Sequence, residues 1–219
     1  MRKIIFILLL LPVFMFAEIQ FSVGGAARLH LIPSIMGVNV KTIVNTETNE
    51  TSVGFGINVE VPVTVAYALD NEWSIGGSIL VGFGVVGGPT VAYKAYGIEI
   101  PVTDVSRSFL SFNALLNFMA KTPSINELKI LFEAGASFRP GEYTEYYQNV
   151  SIFKIQKFYT GPGIFVGIEK LLFDDNVSLV VGGRISAELC VDHRYIIAVE
   201  TSSIINFGIE CRVSFYTVF

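Results

Sequence analysis

The chain has two imidazoles, His30 and His193, and two thiols, Cys190 and Cys211. Nucleophilic hydrolysis would need a serine or cysteine beside a histidine that a carboxylate orients. His193 lies between Asp192 and Arg194, but the serine nearest to it in sequence is Ser186, with Ser202 and Ser203 next. That spacing assembles no triad, so no enzymatic activity is expected. Two histidines and two cysteines also lack the spacing of a metal site. The glycine run GFGVVGG, Gly82 to Gly88, is not followed by the helix that a phosphate cradle requires. No metal or other cofactor is expected.

The remaining chemistry is charge. Arg28, Glu60, Lys129, Glu133, Arg139, Glu169, Arg184, Glu188, Glu210 and Arg212 all fall in segments where large apolar residues alternate with small or polar ones. A period of two places successive side chains on opposite faces of a strand. In VGFGINVEVPVTVAYAL, Val53 to Leu69, every odd position is large and apolar, while Glu60 shares the even face with glycine, asparagine and threonine. Eight such strands are read at 18–31, 52–69, 72–86, 107–120, 127–139, 157–172, 177–191 and 202–219. Pro62 breaks the second, and a β-bulge is expected there because proline has no N–H for the ladder.

Three connections are short and built of turn residues: Asp70 with Asn71, Thr122 to Asn126, and Asp174 to Asn176. The others, near 32–51, 87–106, 140–156 and 192–201, are longer. Short and long alternate along the chain, so one end of the sheet carries all the tight turns and both termini. This is the asymmetry of membrane barrels with short periplasmic turns and long extracellular loops. A ten-stranded barrel would require a further membrane hairpin in the second long connection.

Composition agrees. Hydrophobic residues make up 52% of the 219 residues and charged residues 16%, against about a quarter charged in soluble domains. Residues 1–17, MRKIIFILLLLPVFMFA, have a basic start, an apolar run and a small final residue, which reads as a secretory signal peptide. The barrel domain is then 18–219. Without Arg2 and Lys3 it holds 13 basic and 19 acidic residues, a formal charge of −6, which argues against nucleic acid as a partner.

Charge placement decides which face meets lipid. The ten charges share the small, glycine-rich face, and the opposite face is free of charge over the central parts of the strands, where an Arg or Lys would cost about 2–4 kcal/mol in lipid. The apolar face therefore points outward and the charges line the lumen. Aromatic residues gather near the strand ends of the apolar face, with Phe21, Tyr67, Trp73, Phe118 and Phe215 at the turn end and Phe55, Phe83, Phe138 and Phe158 at the loop end. These are expected to form interfacial girdles.

The chain ends GIECRVSFYTVF. With Val213 and Phe215 in the apolar phase and Phe219 last, this segment resembles the signal by which the barrel assembly machinery recognises its clients, although Thr217 stands where that signal usually has a hydrophobic residue. Over its mature length the chain resembles the small eight-stranded outer-membrane barrels of the OmpA, OmpX and OmpW type. The resemblance implies a closed, antiparallel, eight-stranded transmembrane β-barrel in the outer membrane of a Gram-negative-type bacterium, surrounded by outer-membrane lipid.

An eight-stranded barrel is narrow enough for its side chains to fill it, so the lumen charges are expected to pair and plug it. Arg28, Arg139 and Glu188 should lie high, Glu60, Glu133, Arg184 and Glu210 centrally, and Lys129, Glu169 and Arg212 low. Function is then expected in extracellular loops, where Tyr143, Tyr146, Tyr147, His193, Arg194 and Tyr195 are candidate contacts for an extracellular ligand. The alternative is a narrow channel for small or hydrophobic solutes. Refolded in detergent, the chain should run on electrophoresis as a compact species that disappears on boiling, and a water-soluble folded monomer would contradict the barrel.

Overall fold

The computed structural model describes residues 18–32, 49–52, 54–69, 72–95, 98–101, 105–190 and 203–219. The segment read as a signal peptide, residues 1–17, lies outside them. Among the described residues, ten antiparallel strands form one sheet. In chain order they are β1 (Ile19–Ile32), β2 (Asn49–Ser52), β3 (Gly54–Ala68), β4 (Ser74–Ala95), β5 (Ile98–Pro101), β6 (Val105–Lys121), β7 (Leu128–Tyr147), β8 (Val150–Leu172), β9 (Val177–Cys190) and β10 (Ser203–Val218).

Eight of these close on themselves. The order runs β4-β3-β1-β10-β9-β8-β7-β6, and β6 returns to β4 through a ladder from Ser74↔Lys121 to Pro89↔Ser106. The two four-residue strands, β2 and β5, both pair with β4 between Thr90 and Ala95, above the β3 ladder, so they extend the hairpin rather than widen the barrel. The membrane wall is eight-stranded. The last strand pairs with the first, and Phe219 exchanges backbone hydrogen bonds with Ile19 at 2.9 and 3.2 Å.

The short connections fall where the turn residues place them, between β3 and β4, β6 and β7, and β8 and β9. The third long connection does not. Residues 140–156, read as a loop, are strand nearly throughout: β7 and β8 pair up to Tyr147↔Val150, with one register shift beyond Glu145. Gln148 and Asn149 close the hairpin at φ 47° and 67°, the left-handed pair of a type I′ turn that matches the twist of the strands. At about 3.3 Å per residue and a tilt near 45°, the 23 residues of β8 rise roughly 54 Å, about twice the apolar band of a barrel.

The bulge expected at Pro62 is not present. Along β4 the register runs unbroken through Pro62↔Leu80, and along β1 it is the same on both sides of a lapse opposite Gly24 and Gly25. Pro140 and Pro162 behave alike. The β6–β7 ladder lapses between Ser111↔Gly141 and Ala114↔Phe138, and the β8–β9 ladder between Thr160↔Leu189 and Gly163↔Ser186, each resuming in register. A closed barrel offers no edge for a proline. Each one instead gives up the ladder that its missing N–H would join and keeps the other.

Candidate functional site

Inside the barrel, every membrane-wall strand sends one or more side chains to a single knot. Arg28 comes from β1, Glu60 from β3, Ser78 from β4, Asn117 from β6, Glu133 from β7, Phe165 from β8, Arg184 from β9, and Glu210 with Arg212 from β10. All nine are buried. Arg212 grips Glu133 with a two-pronged fork, Nη1 to Oε1 at 2.7 Å and Nη2 to Oε2 at 2.6 Å, while its Nε donates to Glu210 Oε1 at 2.5 Å. Arg184 bridges the same two carboxylates, at 2.7 Å to Glu133 and 3.1 Å to Glu210.

The Arg28 side chain joins Glu210, at 2.7 Å from Nε, to Glu60 through Nη2. Ser78 and Asn117 donate to Glu133, and Asn58 donates to Glu60 at 3.1 Å. Three guanidinium groups face three carboxylates, so the knot is neutral. Desolvating charges is costly, and such a cluster is tolerable only where hydrogen bonds use up the lone pairs and protons. Phe165 completes it, with Arg212 4.6 Å and Arg184 5.2 Å from its ring centroid.

Two separate pairs flank the knot. On the loop side Arg139 donates to Glu188 at 3.0 Å, and Ser137 and Ser186 also donate to that carboxylate. On the turn side Lys121 donates to Glu169 at 2.7 Å, joined by Ser178 at the same distance. An apolar cluster of Ala66, Met119, Leu131, Phe165 and Val180, from five strands, fills the lumen below the centre. Rings of Phe109 and Tyr159, 5.1 Å apart and edge-to-face, with Tyr143 and its cation–π partner Lys157, fill the upper part.

Several sequence expectations are corrected here. Lys129 is only half-buried, and Lys121 rather than Lys129 pairs with Glu169. Lys121 was missed because β6 was read as ending at residue 120, one short of its observed end. Arg28, expected high, and Arg212, expected low, both reach the central carboxylates, as long guanidinium side chains can. Tyr143 is not a loop residue: it is 1% exposed and faces the lumen over Lys157. The inward phase of Leu131, Glu133, Ser137 and Arg139 carries on through it, which was the missed signal.

Tyr146 is half-exposed near the tip of the β7–β8 hairpin, and Tyr147 ends β7. His193, Arg194 and Tyr195 lie outside the described residues. Ser186, the serine nearest His193 in sequence, is held in the lumen by Glu188 and Asn206. Val213, Phe215 and Phe219 point outward, with Phe215 and Phe219 among the most exposed large side chains. Cys211 pairs in register with Val181 and is exposed on the outer face, as its phase implied.

The outer surface settles what surrounds the barrel. Leu29, Val59, Val61, Leu116, Ile164, Val181 and Ile209 stand outward around the whole wall, each more than two-fifths exposed. Outward charges among the described side chains occur only at the ends, as in the Lys170–Glu127 pair by the turns and the Lys154–Glu142 pair on the long hairpin. Phe83 and Phe112, on paired strands with centroids 5.6 Å apart, belong to the loop-side aromatic belt, and Phe118, Trp73 and Phe215 to the turn-side belt. An apolar exterior of this extent has no stable place in water. The chain is an eight-stranded transmembrane β-barrel.

Solved structures of similar architecture include Ail of Yersinia pestis in complex with sucrose octasulfate, with a TM-score of 0.47 and 9% identity over 92% of this chain and 99% of that one. Neisserial surface protein A follows, with a TM-score of 0.43 and 15% identity over 89% and 96%. OprG of Pseudomonas aeruginosa has a TM-score of 0.40 and 8% identity over 92% and 96%. No family model and no curated protein matches. Similarity of this degree carries nothing about what the barrel binds.

Two measurements follow. Glu133→Gln removes the charge that holds Arg212 and Arg184, and should lower the unfolding free energy in detergent by about 3–5 kcal/mol, whereas Lys129→Met should stay within about 0.5 kcal/mol. On the outer face, Val61→Arg at mid-depth should cost about 2–4 kcal/mol in lipid vesicles, and Gln156→Arg, above the apolar band, close to nothing.

Proposed function

We propose that this protein is a sealed barrel that acts at the cell surface through its extracellular hairpins. The observation that carries this reading is the filled lumen: an ion-pair knot reached by all eight wall strands lies directly above an apolar cluster. A hydrated conduit needs neither, and the apolar side chains would obstruct one. The chain's extended strands instead lie on the loop side. The hairpin of β7 and β8 continues past the exposed Lys154–Glu142 pair to the turn at Gln148 and Asn149 and holds Tyr146 on a paired, stiff support.

Aromatic and charged residues presented this way suit contact with an extracellular ligand. His193, Arg194, Tyr195 and Tyr147 are assigned to the same surface, and Val213, Phe215 and Phe219 to recognition by the barrel assembly machinery. The reading requires no cofactor and no catalysis. The rival is a narrow channel for small or hydrophobic solutes.

The purified barrel in a planar bilayer should conduct no ions above the bare membrane, and steady ohmic conductance would favour the channel instead. A membrane-impermeant amine reagent added to intact cells should label the exposed Lys154, as read by mass spectrometry. Protection of Lys154 until the outer membrane is opened would invert the orientation and remove the surface role.

A further inference from the structure

Between the central knot and the aromatic layer above it, five side chains hold polar atoms with no partner among the described residues: His30 Nε2, Asn58 Oδ1, Asn113 Nδ2, Arg139 Nη2 and Asn206 Oδ1. Each residue is more than nine-tenths buried, from 0% exposed for Asn113 to 6% for His30. They are not scattered. His30 lies diagonally across the β1–β3 ladder from Asn58, since Arg28 pairs with Asn58 and His30 with Gly56. Asn113 accepts from Arg139 at 3.2 Å, Arg139 donates to Glu188, and Ser186 links Glu188 to Asn206. Asn206 in turn lies two positions along β10 from Gly208, which pairs with His30. The belt runs round the lumen.

Four of the five atoms have a fixed sense. Asn58 spends its Nδ2 on Glu60, so its free oxygen is an acceptor. Asn113 accepts through its oxygen from Ser111 and Arg139, so its free Nδ2 is a donor. Arg139 Nη2 can only donate, and Asn206, with its Nδ2 spent on Ser186, offers an acceptor. The first two meet over Gly84, where an added Cβ would lie 1.9 Å from Asn58 Oδ1 and 2.7 Å from Asn113 Nδ2. They are therefore at most about 4.6 Å apart without bonding each other. An oxygen that carries a hydrogen can span that interval, accepting from one and donating to the other with bonds of about 2.8 Å.

Native structures rarely leave so many buried groups unpaired in one layer. We propose that the belt is a binding site for hydroxyl groups, from water or a small polyol, which accept from Asn113 and Arg139 and donate to Asn58 and Asn206. The chemistry is uncharged, because Arg139 is already neutralised by Glu188, and Arg28 by Glu60 and Glu210. Gly84, with no Cβ, leaves the space that the Asn58 and Asn113 amides themselves occupy. The site does not depend on the surface role.

The test uses the full isotopically labelled barrel refolded in detergent micelles, observed by NMR at the Asn113 side-chain amide and the Arg139 guanidinium. Cross-relaxation from water at both groups, without a shift on glycerol addition, supports the site with water as occupant. A saturable glycerol shift with loss of the water signal supports it with a polyol. Absence of both overturns it. In Asn58→Leu, which removes the acceptor and fills its place, the Asn113 amide should lose its signal while the boiling-sensitive compact species persists, and a signal retained in that folded variant would also overturn the site. Should the variant fail to fold, the two wild-type readouts decide.

Discussion

Hydrocarbon cannot hydrogen-bond, and that constraint organises this molecule from the backbone outward. A peptide N–H or C=O facing lipid must find its partner within the protein, so a sheet in the membrane has to close. Here β6 returns to β4, and the last strand pairs back with the first. Closure also governs how prolines are accommodated. Pro62, Pro140 and Pro162 each sit inside the wall with no edge to occupy, and each interrupts one ladder without moving its register. A shift would carry every following side chain to the wrong face, which in lipid would put arginines outside.

Closing at eight strands makes a lumen as narrow as its own side chains, and the second consequence is that the interior must be packed. Inward glycines permit this at particular places. An added Cβ at Gly208 would press at 3.1 Å on the stem of Arg28, and at Gly182 would come within 2.7 Å of the Phe165 ring. Large side chains thus lie flat across the glycines of neighbouring strands. The result is layered: a lysine–glutamate pair near the turns, an apolar cluster, the central knot, a polar belt and an aromatic cap.

The residue types follow the depth. Arginine supplies the cations of the knot, where its planar fork engages two carboxylates at once and its face stacks on Phe165. Lysine appears nearer the ends, as Lys121 on Glu169 and Lys157 over Tyr143. A buried pair costs desolvation that attraction alone does not return in full, so the knot's value lies in register as well as stability. Each strand's contribution reaches its partners only if that strand sits at the right height. A slip by two residues would leave the apolar exterior intact while stranding a buried charge.

Much of the wall was legible along the chain. Alternation identified eight strands and both faces, and turn residues marked the tight connections. Even the pairing of Cys211 opposite residue 181 followed from counting. The β7–β8 hairpin was not legible, because Pro140 and Gly141 read as a stop and Gln148–Asn149 lacks the usual glycine of a turn. Tyr143 was placed outside for that reason, although its odd phase continues that of Arg139. The apolar cluster of Met119, Leu131 and Val180 was missed because large residues on the inner face look like lapses of pattern rather than packing.

By itself the sequence determined that this chain crosses a membrane as strands and which side chains face lipid, since both follow from a local period of two and the cost of charge in hydrocarbon. Only the tertiary structure decided which charges meet. Arg212 reaches Glu133 from three strands away around the wall, and Arg28 joins a knot it was expected to sit above. Such contacts depend on the stagger of strands around the closed barrel, and that stagger belongs to the circuit of ladders as a whole, not to any one strand.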